Sequence, residues 1–105
     1  MSEDLEKQFE AQMFATYESW KPLGYRANRF LMAVRNRGGL GAARYLLAKK
    51  GISPGLARLA SEGRTDLSVE ALVLTSPWDE LFTIEEKDAA RLALKNVKAE
   101  MAGQR

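Results

Sequence analysis

Residues 36–55 read NRGGLGAARYLLAKKGISPG. The stretch is rich in glycine, carries Arg37, Arg44, Lys49 and Lys50, and contains no acid. Three readings compete for it. It is a glycine-rich cradle for phosphates, a helix-turn-helix that reads DNA, or a pair of helix joints with a basic exterior. The choice decides the fold, because the first reading needs a strand before the glycines and the other two need helices on both sides.

The cradle fails on its own terms. Gly39-x-Gly41-x-x-Arg44 has the first two glycines of a dinucleotide fingerprint and lacks the third. That fingerprint works only where a strand, a tight turn and a helix start aim backbone N–H groups at a pyrophosphate. Here the apolar spacing before the glycines is helical: Ala27, Phe30, Leu31 and Val34 fall on one face of a turn-by-turn repeat. The free N–H groups of the helix that follows would still suit a single phosphate. The helix-turn-helix reading rests on Ala48-x-x-Gly51-Ile52-Ser53, with Leu56 and Leu59 to pack the second helix. Its second helix is short and offers only Arg58 to base edges, whereas recognition helices present several polar side chains. Glycines as joints account for the whole stretch: Gly38 and Gly39 end one helix, Gly51 ends the next, and Ser53-Pro54 starts a third as N-cap and first helical residue.

Working outward, the same spacing rules predict helices throughout. Leu5, Phe9, Met13, Tyr17 and Trp20 define a long first helix over about 2–20, closed by Pro22 and Gly24. Helices follow at about 25–37, 40–50 and 54–62, with Gly63 closing the last of these. A largely buried fifth helix is expected over 65–76, with Ser68 as N-cap and Leu67 and Leu72 as a hydrophobic staple. Ser76-Pro77-Trp78 makes a turn. Thr83-Ile84-Glu85-Glu86 is a capping box that opens a sixth helix to about residue 101. No alternating strand and no internal repeat is present. The expected fold is all-α: one domain over 1–105, a compact bundle of five to six helices joined by short Gly/Pro turns, with a helical core over about 25–101.

Composition removes several chemistries. With no Cys and no His in the 105 residues, zinc sites built on those ligands and His-dependent nucleophilic triads are excluded. Pro77-x-Asp79 followed by Glu85-Glu86-Lys87 has the spelling of a metal-dependent nuclease core, but Glu86 is already explained by the capping box and no sheet is present to place the carboxylates. Asp66 and Glu70 read as helix-start acids in the same way. No cofactor and no metal is expected, and the chain reads as a binding protein rather than an enzyme. No apolar run reaches the length of a membrane span, and the acidic, periodic start is wrong for a signal peptide, so a cytoplasmic location is expected.

Charge supplies the functional clue. The net charge of +2 divides unevenly: −4 over residues 1–20, +9 over 21–64 and −3 over 65–105. A basic face built by the second to fourth helices would track a nucleic acid backbone. Arg26, Arg29, Arg37, Arg44, Lys49, Lys50, Arg58 and Arg64 are its candidate phosphate contacts, since Arg forks onto phosphate oxygens and Lys supplies point charges. The competing structural reading has that face cancelled by the acidic first and last helices. The alternative function is a protein–protein adaptor or oligomerising subunit, docking on a partner or a second copy through Phe9, Phe14, Tyr17 and Trp20 of the first helix.

The segments RFLxxV (Arg29–Val34), GGLxAAxxLL (Gly38–Leu47), GRTDLSVEALVL (Gly63–Leu74) and LFTxEE (Leu81–Glu86) together resemble a recurrent module of short, all-helical bacterial proteins of uncharacterised function. The resemblance runs from Gly24 to Leu94. It implies a helical unit, standing alone or joined to larger proteins, and a bacterial origin, and brings no activity and no catalytic residues with it.

Overall fold

The computed structural model describes residues 2–49 and 51–103, and its described residues are helical with no strand. Helix α1 spans Ser2–Trp20, α2 Asn28–Ala48, α3 Pro54–Ser61, α4 Val69–Val73 and α5 Ile84–Gly103. Single 3-10 turns at Lys21–Leu23, Thr65–Leu67 and Trp78–Leu81 stand between α1 and α2, α3 and α4, and α4 and α5.

Each boundary follows from a local cause. A 3-10 turn leaves α1, and Gly24 takes φ +78, donating its N–H to the Lys21 carbonyl at 2.9 Å. Ser53 accepts from the Leu56 N–H at 3.1 Å and Pro54 takes the first position of α3. Thr83 and Glu86 close their capping box reciprocally, at 2.8 and 3.1 Å. The second helix starts three residues later than the spacing predicts. Tyr25 stacks on Trp20 and donates its N–H to the Trp20 carbonyl, which holds residues 25–27 outside the helix. The buried fifth helix is shorter than predicted. Ser68 Oγ donates to the Thr65 carbonyl at 2.7 Å and accepts from the Ala71 N–H at 3.1 Å. One hydroxyl therefore commits 65–67 to a tight turn and starts α4 after it.

The glycine pair in the opening stretch joins two helices with no loop between them. The run 28–48 is continuous except at Gly38, where φ 76 and ψ 166 break the helical path. Only glycine adopts that backbone without strain. Beside it, α1 crosses α2 so closely that a methyl group on Gly39 would stand 2.6 Å from the Glu10 Cα.

The core lies between α1, α2 and the three later helices. Phe9 and Met13 are fully buried, and Tyr17 and Trp20 continue the same stripe of α1. Phe9 meets Phe82 edge-on at 5.5 Å and Trp78 at 5.7 Å. Trp20 packs on Tyr25 and Phe30 and donates its indole N–H to the Leu67 carbonyl at 2.9 Å. Val34, Ala42 and Ala43 of α2, Leu59 of α3, Val69 and Val73 of α4, and Ala90 of α5 complete it. No helix among the described residues is long and apolar enough to cross a membrane.

Candidate nucleic-acid interface

The basic residues expected to form one face divide into two groups. Arg44 and Arg58 fasten one element to another, and Arg64 is paired within its own turn. Arg44 pairs with Glu86 of α5 at 3.1 Å and donates to the Leu81 carbonyl at 3.1 Å, so it fastens α2 to the start of α5. Arg58 donates to the Leu23 carbonyl at 3.0 Å and pairs with Glu62 at 3.3 Å. Arg64 forks onto Asp66, both bonds 3.0 Å long, and that hydrogen bonding holds the Asp66 carboxyl below its ordinary value and raises the guanidinium. Lys50 lies outside the described residues. Arg26, Arg29, Arg37 and Lys49 make no ion pair among the described residues, and all four are exposed.

Those four lie around one feature. A cavity of about 660 Å³ opens between both halves of α2, α3 and α4, and Arg26, Arg29, Tyr45 and Lys49 line it together with Trp20, Phe30, Leu56 and Leu59. Arg26 precedes α2 rather than standing on it. It reaches the same cavity from the turn at 25–27. Arg37 joins the group through Tyr45: its guanidinium carbon lies 3.9 Å from the ring centroid, and the Lys49 ammonium 4.6 Å from it. Tyr45 is itself 42% exposed. The result is an aromatic ring with two cations against it, beside two further cations at a cavity mouth.

The other expectations for the opening stretch change with the structure. The N–H of Gly39, at the start of the second half of α2, donates to the Glu10 carboxylate at 2.9 Å. A carboxylate from α1 thus occupies the helix start that would otherwise suit a phosphate. In α3, Arg58 is turned back onto Leu23 and Glu62, and Leu56 and Leu59 are buried, which leaves that helix without a side chain aimed at base edges. Asp79, Glu85 and Glu86 gather no metal site: among the described residues no group of three or more acids is placed to hold a cation. The aromatic residues expected to meet a partner lie inside the monomer. Phe9, Tyr17 and Trp20 are buried and Phe14 is half-buried against the core, so a partner would reach them only by displacing α1.

Glu70 stands in the first turn of α4, as its reading as a helix-start acid expects, and what that reading does not show is its burial. It is 3% exposed, lines the cavity, and accepts a hydrogen bond from Ser53 Oγ at 3.2 Å. Burial raises its pKa above the ordinary value of 4.5, against the lowering effects of the backbone N–H and of Ser53. The signal was available in part: Glu70 stands inside the apolar run Val69-x-Ala71-Leu72-Val73-Leu74, where a solvated acid is out of place.

A stability prediction follows from the sign of that shift. A carboxyl whose folded pKa is raised binds its proton more tightly in the folded state. The penalty for burying its charge is therefore fully present above the raised folded value and vanishes below the unfolded value. Glu70→Gln, which can keep the bond from Ser53, is expected to unfold at higher urea than the parent at pH 7. The gap should close as the pH falls from the raised folded value to the ordinary Glu value. Parallel urea titrations across that range measure it, and a gap that widens as the pH falls contradicts the assigned burial.

No family model, curated protein or solved structure matches the chain. The geometry alone carries the functional reading.

Proposed function

We propose that this is a small, non-enzymatic binding protein whose basic face on α2 and its flanking turns contacts the phosphate backbone of nucleic acid. The observation that carries the reading is the set of four cations without acidic partners, Arg26, Arg29, Arg37 and Lys49, grouped around the cavity mouth and Tyr45. Had the +9 of the central segment been neutralised internally, these four would be paired. Instead the fold applies its acids elsewhere: Glu10 to the Gly39 N–H, Glu86 to the capping box and Arg44, Glu62 and Asp66 to neighbouring arginines. A positively charged groove that tracks the backbone is what a single strand needs, and the clustered cations supply it. Backbone contact of this kind carries little sequence preference of its own.

The test is binding of labelled single-stranded DNA, RNA and duplex DNA over a range of salt. Four phosphate contacts on a single strand predict a slope of log affinity against log salt of about −3. Reversing two of the cations, Arg26→Glu with Arg29→Glu, is expected to weaken binding by about tenfold or more and to flatten the slope by roughly 1.4. Absence of binding at low salt, or binding indifferent to salt, would remove the proposal.

A further inference from the structure

The cavity behind the basic mouth combines two features that a backbone-binding surface does not need. Its walls are apolar and aromatic, with Trp20 and Phe30 among them, and its lining includes the buried carboxylate of Glu70. Burying a carboxylate is unfavourable unless hydrogen bonds or a counter-charge compensate it. Among the described residues Glu70 is compensated by the Ser53 hydroxyl and a backbone N–H and has no ion pair. The Ser53 Oγ accepts from the Leu56 N–H while its one O–H proton goes to Glu70, so Ser53 has no second donor to offer the carboxylate. A glutamine would serve the Ser53 contact equally well. The acceptor capacity of the carboxylate therefore exceeds what the fold uses, in a cavity with apolar walls that suit a flat ring.

An occupant must match both ends. The mouth carries Arg26, Arg29 and Lys49, which attract anions and disfavour a free cation entering. Glu70 accepts N–H groups and offers no donor when ionised. A ligand with an anionic group outside and adjacent N–H donors on a flat apolar body inside is a nucleotide. Among the bases guanine alone places two neighbouring donors, N1–H and N2–H, where one carboxylate can accept both. A cavity of about 660 Å³ is ample for one nucleoside.

We propose that the cavity receives one unstacked guanine of a bound single strand, with Glu70 accepting from its N1–H and N2–H while Arg26, Arg29 and Lys49 hold the adjoining phosphates. This rests on the backbone-binding reading and adds to it a base preference at one position. The exocyclic and ring N–H groups of guanine are drawn to the buried carboxylate as a bidentate pair, the geometry by which protein side chains discriminate bases. Cytosine brings one such donor group beside an acceptor nitrogen that faces the carboxylate unfavourably. Thymine alternates its single donor with carbonyl oxygens.

Fluorescence anisotropy with labelled twelve-nucleotide thymidine strands tests this, the central base being dG, dA, dC or dT. A single guanine in such a strand forms neither duplex nor four-stranded structure. The expected result is tighter binding of the dG strand by about tenfold over the dT strand, with the preference lost in Glu70→Gln. Equal binding of all four strands overturns the guanine site and leaves the backbone reading standing. A guanine preference that survives in Glu70→Gln also overturns it. No binding of any strand at low salt overturns both. Titration with guanosine monophosphate is the last arm: affinity equal to that of the dG strand would assign the cavity to a free nucleotide and overturn the strand context.

Discussion

Gly39→Ala is expected to destabilise the protein by about 3 kcal/mol, at the upper end of what one added methyl group does in a packed interface. The reason is the α1–α2 crossing. The new Cβ would stand 2.6 Å from the Glu10 Cα, 3.0 Å from its Cβ and 3.1 Å from its backbone nitrogen. Two of these atoms are backbone, so no rotamer change relieves the overlap and α1 must move as a body. Moving it also pulls the Glu10 carboxylate from the Gly39 N–H. For a domain of this size the loss corresponds to a fall in Tm of roughly 15 °C. Gly41→Ala is the matched control. Its Cβ would meet only the Arg37 Cβ, at 3.2 Å on the same helix, and helix propensity favours alanine. Its stability should stay within about 1 kcal/mol of the parent. Urea midpoints of the two variants decide the matter. A Gly39→Ala protein that unfolds with the parent would mean the helices do not cross as described.

Phe9→Ala is expected to cost about 3–5 kcal/mol, the range for removing a buried aromatic side chain and leaving a cavity. Phe9 has no exposed surface, and its ring bridges α1 to Trp78 and Phe82. Phe9→Leu keeps most of the volume and should cost less than about 1.5 kcal/mol. The pair of variants also discriminates between two roles for α1. A partner-docking phenylalanine would leave the urea midpoint unchanged and lower affinity for the partner. A core phenylalanine lowers the midpoint and does nothing selective. The structure places Phe9 in the second class, and denaturation followed by near-ultraviolet circular dichroism reads the outcome.

What could be read from the sequence was mostly local. Ser53, Ser68 and the Thr83–Glu86 box act within four residues, and all three caps form where the spacing puts them. The break at Gly38 is of the same kind, since a glycine pair between two apolar repeats leaves few alternatives. The failures share a different cause: each depends on which element arrives next to which. Gly39 is needed because Glu10 crosses it, 29 residues away in the chain. Arg44 belongs to the fold because α5 begins beside it, and Arg58 because the turn after α1 offers it the Leu23 carbonyl. Glu70 looked like a helix-start acid because it does stand in the first turn of α4. That α3 and α2 would cover this turn, and leave a cavity in front of the carboxylate, is a property of three elements together. A charge sum over a segment cannot separate arginines that pair from arginines that do not, and the division of the central basic residues into two groups emerged only with their partners.

The placement of the two indoles makes the molecule its own optical probe. Trp20 lines the cavity with Tyr25 stacked on one side, while Trp78 lies in the aromatic cluster around Phe9. Because both indoles emit in one band, the two reports separate in single-tryptophan variants: with Trp78→Phe the emission follows the cavity wall and the end of α1, and with Trp20→Phe it follows the cluster around Phe9.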